Sequence, residues 1–357
     1  MICFGWTFTF DFFVALGIIA GTILFFHLAF AAFMLNLARL ERAFFPRRSS
    51  MAVMALSEMP MKKVAEAFIY GVLPKTYFFT ARLGKFGAWL MDKRVPPEKY
   101  HGKVLRMDDA AKIIQLDQPL ERDLEHIIPF ETARQIILNH PLPSIAAIEC
   151  VCRSVKKNPC QPTDVCLLIG EPYVTFTIEH RPGKARRLTV DEALQILEDE
   201  DKRGHLHTAW FKDCMNDRFY ALCNCCTCCC EGMKSYNRGL PRIIHSGYKP
   251  VIEEDLCVNC GACAKVCAFN AISSTIGVQT IINYDICMGC GLCETHCPKW
   301  AIDLELAPER GIPLDVDILV AEQEAEKQAA KRVRRLPVSS QKQARKKAGV
   351  ELKKSVN

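Results

Sequence analysis

The sequence predicts an α+β chain in four parts: an N-terminal transmembrane helix, an α/β cysteine-rich middle domain, a domain built on a cysteine repeat, and a disordered basic tail. Three observations support this prediction: an uncharged apolar run at residues 12–37, the gathering of most of the 20 cysteines into two regions, and a basic C-terminal end. At 357 residues the chain has room for two or three domains. So many cysteines in a chain of this length favour metal ligation over a disulfide scaffold.

The apolar run at residues 12–37 contains no Asp, Glu, Lys or Arg. It exceeds the roughly 20 residues that a helix needs to cross a bilayer, so it predicts a transmembrane helix after a short extracytoplasmic segment, residues 1–11. A cleavable signal peptide is the alternative, but its leader should be basic, whereas this one carries Asp11 and no positive charge. By the positive-inside rule, the arginines after the run predict a single-pass protein of the cell membrane with the bulk of the chain in the cytoplasm. They are Arg39, Arg42, Arg47 and Arg48.

Residues 60–91 alternate basic and bulky apolar side chains, which predicts juxtamembrane interfacial helices within residues 38–95. A helical cap on the soluble domain is the alternative. A cysteine-rich metal-binding domain is expected at residues 96–250. Within it, residues 131–139 are a helix candidate and Ile145–Ile148 is predicted to be a buried strand. The segment from Thr189 to Glu192 has the capping-box pattern that begins a helix.

Eight cysteines fall in two near-copies of one pattern between residues 255 and 302, the cysteine repeat. The first copy is Cys257-x-x-Cys260-x-x-Cys263-x-x-x-Cys267, and the second is Cys287-x-x-Cys290-x-x-Cys293-x-x-x-Cys297-Pro298. Three cysteines spaced by two residues let one tight loop direct three thiolates at a 4Fe-4S cluster, while the fourth ligates the other cluster. The pattern therefore predicts one cluster on Cys257, Cys260, Cys263 and Cys297, and another on Cys287, Cys290, Cys293 and Cys267.

The two copies also agree outside the cysteines, which indicates two halves that complete each other. The matching positions are Asp255/Asp285, Gly261/Gly291, Ala271/Ala301 and Ile272/Ile302. The segment resembles the bacterial-type two-cluster 4Fe-4S ferredoxin domain, and this resemblance implies a ferredoxin-like two-cluster domain at residues 251–305. Zinc sites usually pair two separated Cys-x-x-Cys elements and do not match a doubled run of three plus one. Disulfides need an oxidising compartment, which the predicted topology argues against.

A second set of cysteines lies before the repeat, and its crowding favours metal ligation over packing. We predict that Cys150, Cys152, Cys160 and Cys166 form a third site. An additional site is predicted in the 223–230 region, from Cys223, Cys225, Cys226, Cys228, Cys229 and Cys230. Because these spacings are not diagnostic, one or two further iron-sulfur clusters and zinc all stay open.

Two other residues accompany this second set. Arg153 is expected either to raise the potential of a neighbouring cluster or to form a surface salt bridge. His207 is expected to be either a ligand or a hydrogen-bonded strand residue. Together with the cysteine runs, the Cys150-x-Cys152-Arg153 step resembles a group of anaerobe 4Fe-4S proteins that carry this module ahead of a ferredoxin domain. Together these resemblances cover roughly residues 130–302. With the predicted transmembrane helix, the chain resembles a membrane-anchored 4Fe-4S dicluster protein of the kind found in anaerobes, which implies cluster binding but no particular reaction.

Residues 306–357 form a basic tail. Residues 327–357 hold eleven Lys/Arg and one acid, although the net charge of the whole chain is only +6. Residues 321–335 place acids early and bases late, the order that favours a helix, and disorder is expected beyond Pro337. Beside a membrane, such a tail favours membrane lipid or an acidic partner, and no nucleic acid is expected.

These features predict a membrane-anchored iron-sulfur electron-transfer protein. It would relay electrons between a cytosolic donor and a membrane or redox-enzyme partner, for example a quinone-reactive membrane subunit. Clusters with four cysteine ligands leave no iron open to substrate, so an electron-transfer protein or a subunit of an oxidoreductase complex is favoured over an enzyme. The alternative is an iron-sulfur reductase with a catalytic cluster in the 223–230 region. The sequence has no dinucleotide-binding or phosphate-binding glycine loop, so we expect no flavin, nicotinamide or nucleotide of its own.

Overall fold

The computed structural model describes residues 61–73, 136–138, 144–215 and 218–334, and residues 86–128 with short gaps. The chain divides into two compact units, residues 1–69 and 70–357. Of the first unit the structure describes residues 61–69, which belong to a helix. The remaining described elements belong to the second unit.

The bounds of the helices and strands are as follows. The α-helices are α1 (Met61–Val72), α2 (Met107–Gln115), α3 (Val151–Ser154), α4 (Tyr173–His180), α5 (Val190–Lys202), α6 (Glu231–Asn237), α7 (Ala262–Val266), α8 (Leu292–Thr295) and α9 (Val316–Arg334). The strands are β1 (Tyr100–Val104), β2 (Leu120–Arg122), β3 (Ile136–Leu138), β4 (Ile145–Ile148), β5 (Cys166–Ile169), β6 (Ala185–Leu188), β7 (Leu206–Lys212), β8 (Arg218–Cys225), β9 (Ile243–Ile244), β10 (Tyr248–Ile252), β11 (Ile272–Thr275), β12 (Gln279–Ile282) and β13 (Ile302–Leu306).

A seven-stranded sheet carries most of the second unit's core, with the strand order β6-β4-β5-β8-β7-β1-β9. Its neighbouring strands are antiparallel, except for the parallel pair β1 and β9. Strand β7 is buried along its whole length. Apolar side chains of α2, α5 and α9 join those of the inner strands in one hydrophobic cluster. Burial of these apolar side chains is the main contribution to the stability of the sheet and holds the strand ends in place.

Helix α5 begins as the sequence predicts. The Thr189 side chain accepts a hydrogen bond from the backbone N–H of Glu192, and the Glu192 carboxylate accepts one from the backbone N–H of Thr189. Just after the helix, Gly204 has a φ of 72°, which glycine adopts without strain. The capping box and the buried strand at Ile145–Ile148 are both confirmed.

The predicted fold class is corrected. In place of an α+β chain with an N-terminal transmembrane helix, the described residues form a mixed α/β structure around one large sheet. Among the described residues, no helix is both long enough and apolar enough to span a bilayer. The predicted span at residues 12–37 lies outside the described part of the chain.

Two local predictions have different outcomes. The helix expected at residues 131–139 is wrong where the chain is described, because Ile136–Leu138 is a strand paired with β2. Its isoleucines favour extended backbone. The helix expected at residues 321–335 is confirmed in α9, which begins earlier, at Val316, and buries Leu319 in the core. The residues beyond Pro337, where disorder is expected, lie outside the described residues, which end at residue 334.

The cysteine repeat is also a repeat in backbone conformation. Positive φ angles recur thirty positions apart, in the pairs Asn259/Gly289, Gly261/Gly291 and Asn270/Trp300. Each glycine of the middle pair precedes a short helix, α7 or α8. Strand β10 pairs with β13, and β11 pairs with β12. The two copies therefore share turn geometry as well as sequence.

Candidate metal centres

Each of the two cysteine sets predicted in the repeat lines one cavity. The first cavity is lined by Cys257, Cys260 and Cys263 of the first copy and by Cys297 of the second. The second cavity is lined by Cys287, Cys290 and Cys293 of the second copy and by Cys267 of the first. The fourth cysteine of each copy thus crosses to the other copy's cavity, as the spacing rule expects of a two-cluster domain. Ligation itself stays a prediction.

The walls of both cavities fit an iron-sulfur cluster. The backbone N–H of Ala271 donates to Cys267 Sγ at 3.2 Å, and the N–H of Ala301 donates to Cys297 Sγ at 3.3 Å. Such bonds favour the thiolate form of a cysteine and are among the contacts that set a cluster's potential. All the described cysteines are free thiols, so the eight sulfurs of the repeat are available as ligands.

Burial disfavours the charged thiolate form of these cysteines unless a positive charge lies nearby. It raises the pKa of Cys290 to about 12, and it also raises the pKa of Cys263 and of Cys287. A buried thiolate is unfavourable without nearby positive charge, and a bound metal centre provides that charge. The donor set therefore has the chemistry of metal ligands.

A family model described as a 4Fe-4S dicluster domain matches residues 256–302. Residues 256–302 are a two-cluster, ferredoxin-like segment. We call this segment the dicluster domain, and the resemblance stated from its cysteine spacing is confirmed. A search of curated proteins finds no match to the chain. The family match leaves the second set of cysteines unassigned.

Gly289 of the dicluster domain offers a test of how tightly a cavity wall is packed. Its φ is +64°, and a Cβ there would lie 2.0 Å from the carbonyl oxygen of Tyr248. We expect Gly289→Ala to lower the free energy of unfolding by more than the ~1–3 kcal/mol of backbone strain alone, and to lower the iron content. Gly277→Ala is the matched control, because Gly277 has a φ of +72° but nothing within 4 Å of the added Cβ. Anaerobic denaturant unfolding of both variants measures the difference, and equal losses would contradict the expected clash.

Six thiols of the second set form a closed ring of contacts, which we call the thiol ring. The contacts run in the order Cys150, Cys152, Cys230, Cys225, Cys223, Cys166 and back to Cys150. The Sγ atoms of Cys225 and Cys230 lie 3.3 Å apart. A single tetrahedral ion accepts four ligands, so six neighbouring sulfurs fit a centre with more than one metal ion.

The remaining four cysteines form a separate and more compact four-thiol group. Its members are Cys160, Cys226, Cys228 and Cys229, and their Sγ atoms all lie within 4.8 Å of one another. Cys226 and Cys229 are buried, Cys160 is half-buried, and Cys228 is exposed. The structure thus groups the cysteines differently from the predicted third site. Cys160 lies in the four-thiol group, whereas Cys150, Cys152 and Cys166 lie in the thiol ring.

Strand geometry explains this division. Cys223 and Cys225 lie in strand β8, not in a loop, and their spacing of two residues puts both side chains on one face of the sheet. Cys166 begins β5 opposite Ile148, the last residue of β4, and Cys150 follows soon after. The thiol ring is therefore built on the ends of β4, β5 and β8. The turn after β8 carries Cys226, Cys228 and Cys229 away from that face.

Arg153 is buried beside both groups of thiols. Its side chain is only 1% exposed and pairs with fully buried Glu200 at an N–O distance of 2.5 Å. It also donates to the carbonyl oxygen of Asn224 at 3.1 Å. Its positive charge acts on Cys150 of the thiol ring and on Cys226 of the four-thiol group. The alternative of a surface salt bridge is therefore wrong.

Thr208 and Trp210 are site residues that the sequence reasoning missed. Thr208 Oγ1 lies 3.4 Å from Cys225 Sγ, and the Trp210 indole N–H donates to Thr208 Oγ1 at 2.7 Å. This contact depends on the register of β7 against β8, which no local pattern reveals.

His207 points to the opposite face of β7, where its Nδ1 lies 2.7 Å from Asn224 Oδ1. His207 is therefore a hydrogen-bonded strand residue, as one of its two predicted roles expects.

Helix α6 connects the thiol ring with the dicluster domain. The helix starts directly after Cys230, and near its end the Tyr236 hydroxyl donates to Met288 Sδ at 3.5 Å. The Tyr236 ring also meets Phe269 edge-on, with centroids 5.7 Å apart. Met288 and Phe269 both line the second cavity. At a rise of about 1.5 Å per residue, Cys230 and Tyr236 are separated by roughly 9 Å along the helix axis.

Proposed function

We propose that the chain relays electrons between a cytosolic donor and a redox-protein partner, with the dicluster domain as its electron-carrying part. The observation that supports this most is the crossing of the two cavities, each lined by cysteines of both copies, within the segment that matches a dicluster model. When bound there, 4Fe-4S clusters accept and release single electrons. The free state of all described cysteines also suits a reducing compartment such as the cytosol.

The two cavities have different surroundings. The first cavity lies at the surface, where Cys260 is exposed, the lining residue Val258 is 53% exposed, and the nearby Trp300 is 78% exposed. The second cavity borders helix α6 through Tyr236. Exposed apolar side chains beside a redox site suit brief docking of another protein. The first cavity is therefore the proposed contact point for the partner, whereas the second contacts the helix that begins at the thiol ring.

The proposed relay is tested by measuring electron transfer from the reduced protein to a one-electron acceptor. Protein purified without oxygen and reduced with dithionite should deliver about two electrons per chain from the dicluster domain to oxidised cytochrome c, used as a one-electron acceptor protein. Val258→Lys should slow this transfer, because it places a positive charge at the surface that docks the basic acceptor protein, but should leave reoxidation by ferricyanide unchanged. Ile318→Lys is the matched control, since Ile318 is 56% exposed on α9, outside the cavity linings. A protein that takes up no electrons from dithionite would contradict the proposal.

A further inference from the structure

We propose that the four-thiol group binds one zinc ion in tetrahedral coordination, separate from the iron-sulfur clusters. The ligands are the sulfurs of Cys160, Cys226, Cys228 and Cys229. This proposal rests on the geometry of the group and does not depend on the proposed electron relay.

The four sulfurs lie close enough together to bind a single small ion. Zn–S bonds of roughly 2.3 Å in a tetrahedron place neighbouring sulfurs about 3.8 Å apart. The Sγ atoms of Cys228 and Cys229 lie 3.7 Å apart, those of Cys160 and Cys228 lie 2.9 Å apart, and all four lie within 4.8 Å. The ligands of a 4Fe-4S cluster stand further apart, because each binds a different iron. The cysteines around each dicluster cavity, all of them described residues, form no group this compact.

The position of the four cysteines in the chain suits a structural metal site. Three of them follow β8 in a turn that is closed by the N–H of Cys230 donating to the carbonyl oxygen of Cys226 at 3.2 Å. The fourth, Cys160, lies 68 positions from Cys228, between α3 and β5. A zinc ion here ties two distant segments together, and four cysteine ligands with no open position are typical of structural zinc. Exposed Cys228 gives the ion a path to enter.

Zinc coordination also defines the charge of the site. Zinc binds thiolates, so coordination releases the four thiol protons and leaves a centre with a net charge of about −2. The buried guanidinium of Arg153, which is paired with Glu200, also acts on Cys226, and exposed Cys228 faces solvent. Water at Cys228 therefore solvates the anionic centre.

The test is metal analysis of the full-length chain, purified without oxygen after growth with both iron and zinc. We expect about one zinc per chain in the wild type. Cys228→Ser should lose this zinc and keep the iron of the dicluster domain, whereas Cys260→Ser should lose iron and keep the zinc. Cys228→His should retain zinc, because histidine is also a zinc ligand. Thr227→Ser, an exposed position in the same turn, should leave both metals unchanged.

X-ray absorption at the zinc edge of the wild type keeps the proposal testable if Cys228→Ser does not fold. The spectrum should show four sulfur neighbours at roughly 2.3 Å. A wild type without zinc, or a zinc shell of nitrogen and oxygen, would overturn the proposal. So would a Cys228→Ser protein that loses iron instead of zinc, since the site would then hold a mononuclear iron or an iron-sulfur cluster.

Discussion

Replacing Cys297 with alanine is expected to remove the metal centre held by Cys257, Cys260 and Cys263, although Cys297 belongs to the other copy of the repeat. Cys297 lines the first cavity, and the backbone N–H of Ala301 donates to its sulfur there. The variant should lose about four irons per chain, half of what two 4Fe-4S clusters contain. Anaerobic iron and sulfide analysis measures the loss.

Two double variants show which cluster is lost. Cys297→Ala combined with Cys260→Ala should lose no more iron than either single variant, because both residues line the first cavity. Cys297→Ala combined with Cys290→Ala should lose about eight irons, because Cys290 lines the second. If this second pair instead retained one complete cluster, the crossing of the fourth ligand would be wrong.

Glu200→Gln is expected to be strongly destabilising, because it breaks a buried ion pair outside the dicluster domain. Burial alone would raise the pKa of the Glu200 carboxyl, but hydrogen bonds from His205 and Arg153 outweigh it and hold that pKa below its usual value. Glutamine keeps the shape but leaves the Arg153 guanidinium buried without a counter-charge. Removing one partner of a buried ion pair costs about 3–5 kcal/mol. Anaerobic urea unfolding followed by circular dichroism measures the change in free energy.

Two control variants distinguish the cost of an unpaired buried charge from the cost of changing any glutamate on this helix. Glu198→Gln removes an exposed pair with Lys202 on the same helix and should have a much smaller effect. The double variant Arg153→Met/Glu200→Leu should be more stable than Glu200→Gln, because no uncompensated charge remains. A Glu200→Gln protein as stable as Glu198→Gln would show that Arg153 does not need its partner.

The dicluster domain could be predicted from the sequence because its ligand geometry is local. Three cysteines spaced by two residues lie in one loop and the short helix that follows it, and a glycine with positive φ, Gly261 or Gly291, recurs at the same place in each copy. Only the fourth ligand comes from elsewhere, and the repeat itself indicates its origin. A short-range pattern was therefore sufficient for this part of the chain.

The grouping of the second cysteine set could not be predicted from a short-range sequence pattern, because it depends on tertiary structure. The alternation of strand β8 sends Cys223 and Cys225 to the thiol ring, while the turn that follows sends Cys226 to the four-thiol group. The predicted α+β class failed for a related reason. Strand β7 is fully buried yet contains His207 and Lys212, so it lacks the apolar alternation that marks a strand in sequence. Lys212 is tolerated there because it pairs with Asp213 at 2.9 Å.

The most direct test of the central claim is the difference in iron and inorganic sulfide between the wild type and a Cys260→Ala/Cys290→Ala variant, both purified without oxygen. The two cavities predict a loss of about eight irons and eight sulfides per chain, together with the paramagnetic signals that the two reduced clusters give in the wild type. Equal iron and sulfide in the two proteins, or iron without sulfide in the wild type, would contradict the claim that residues 256–302 hold two 4Fe-4S clusters.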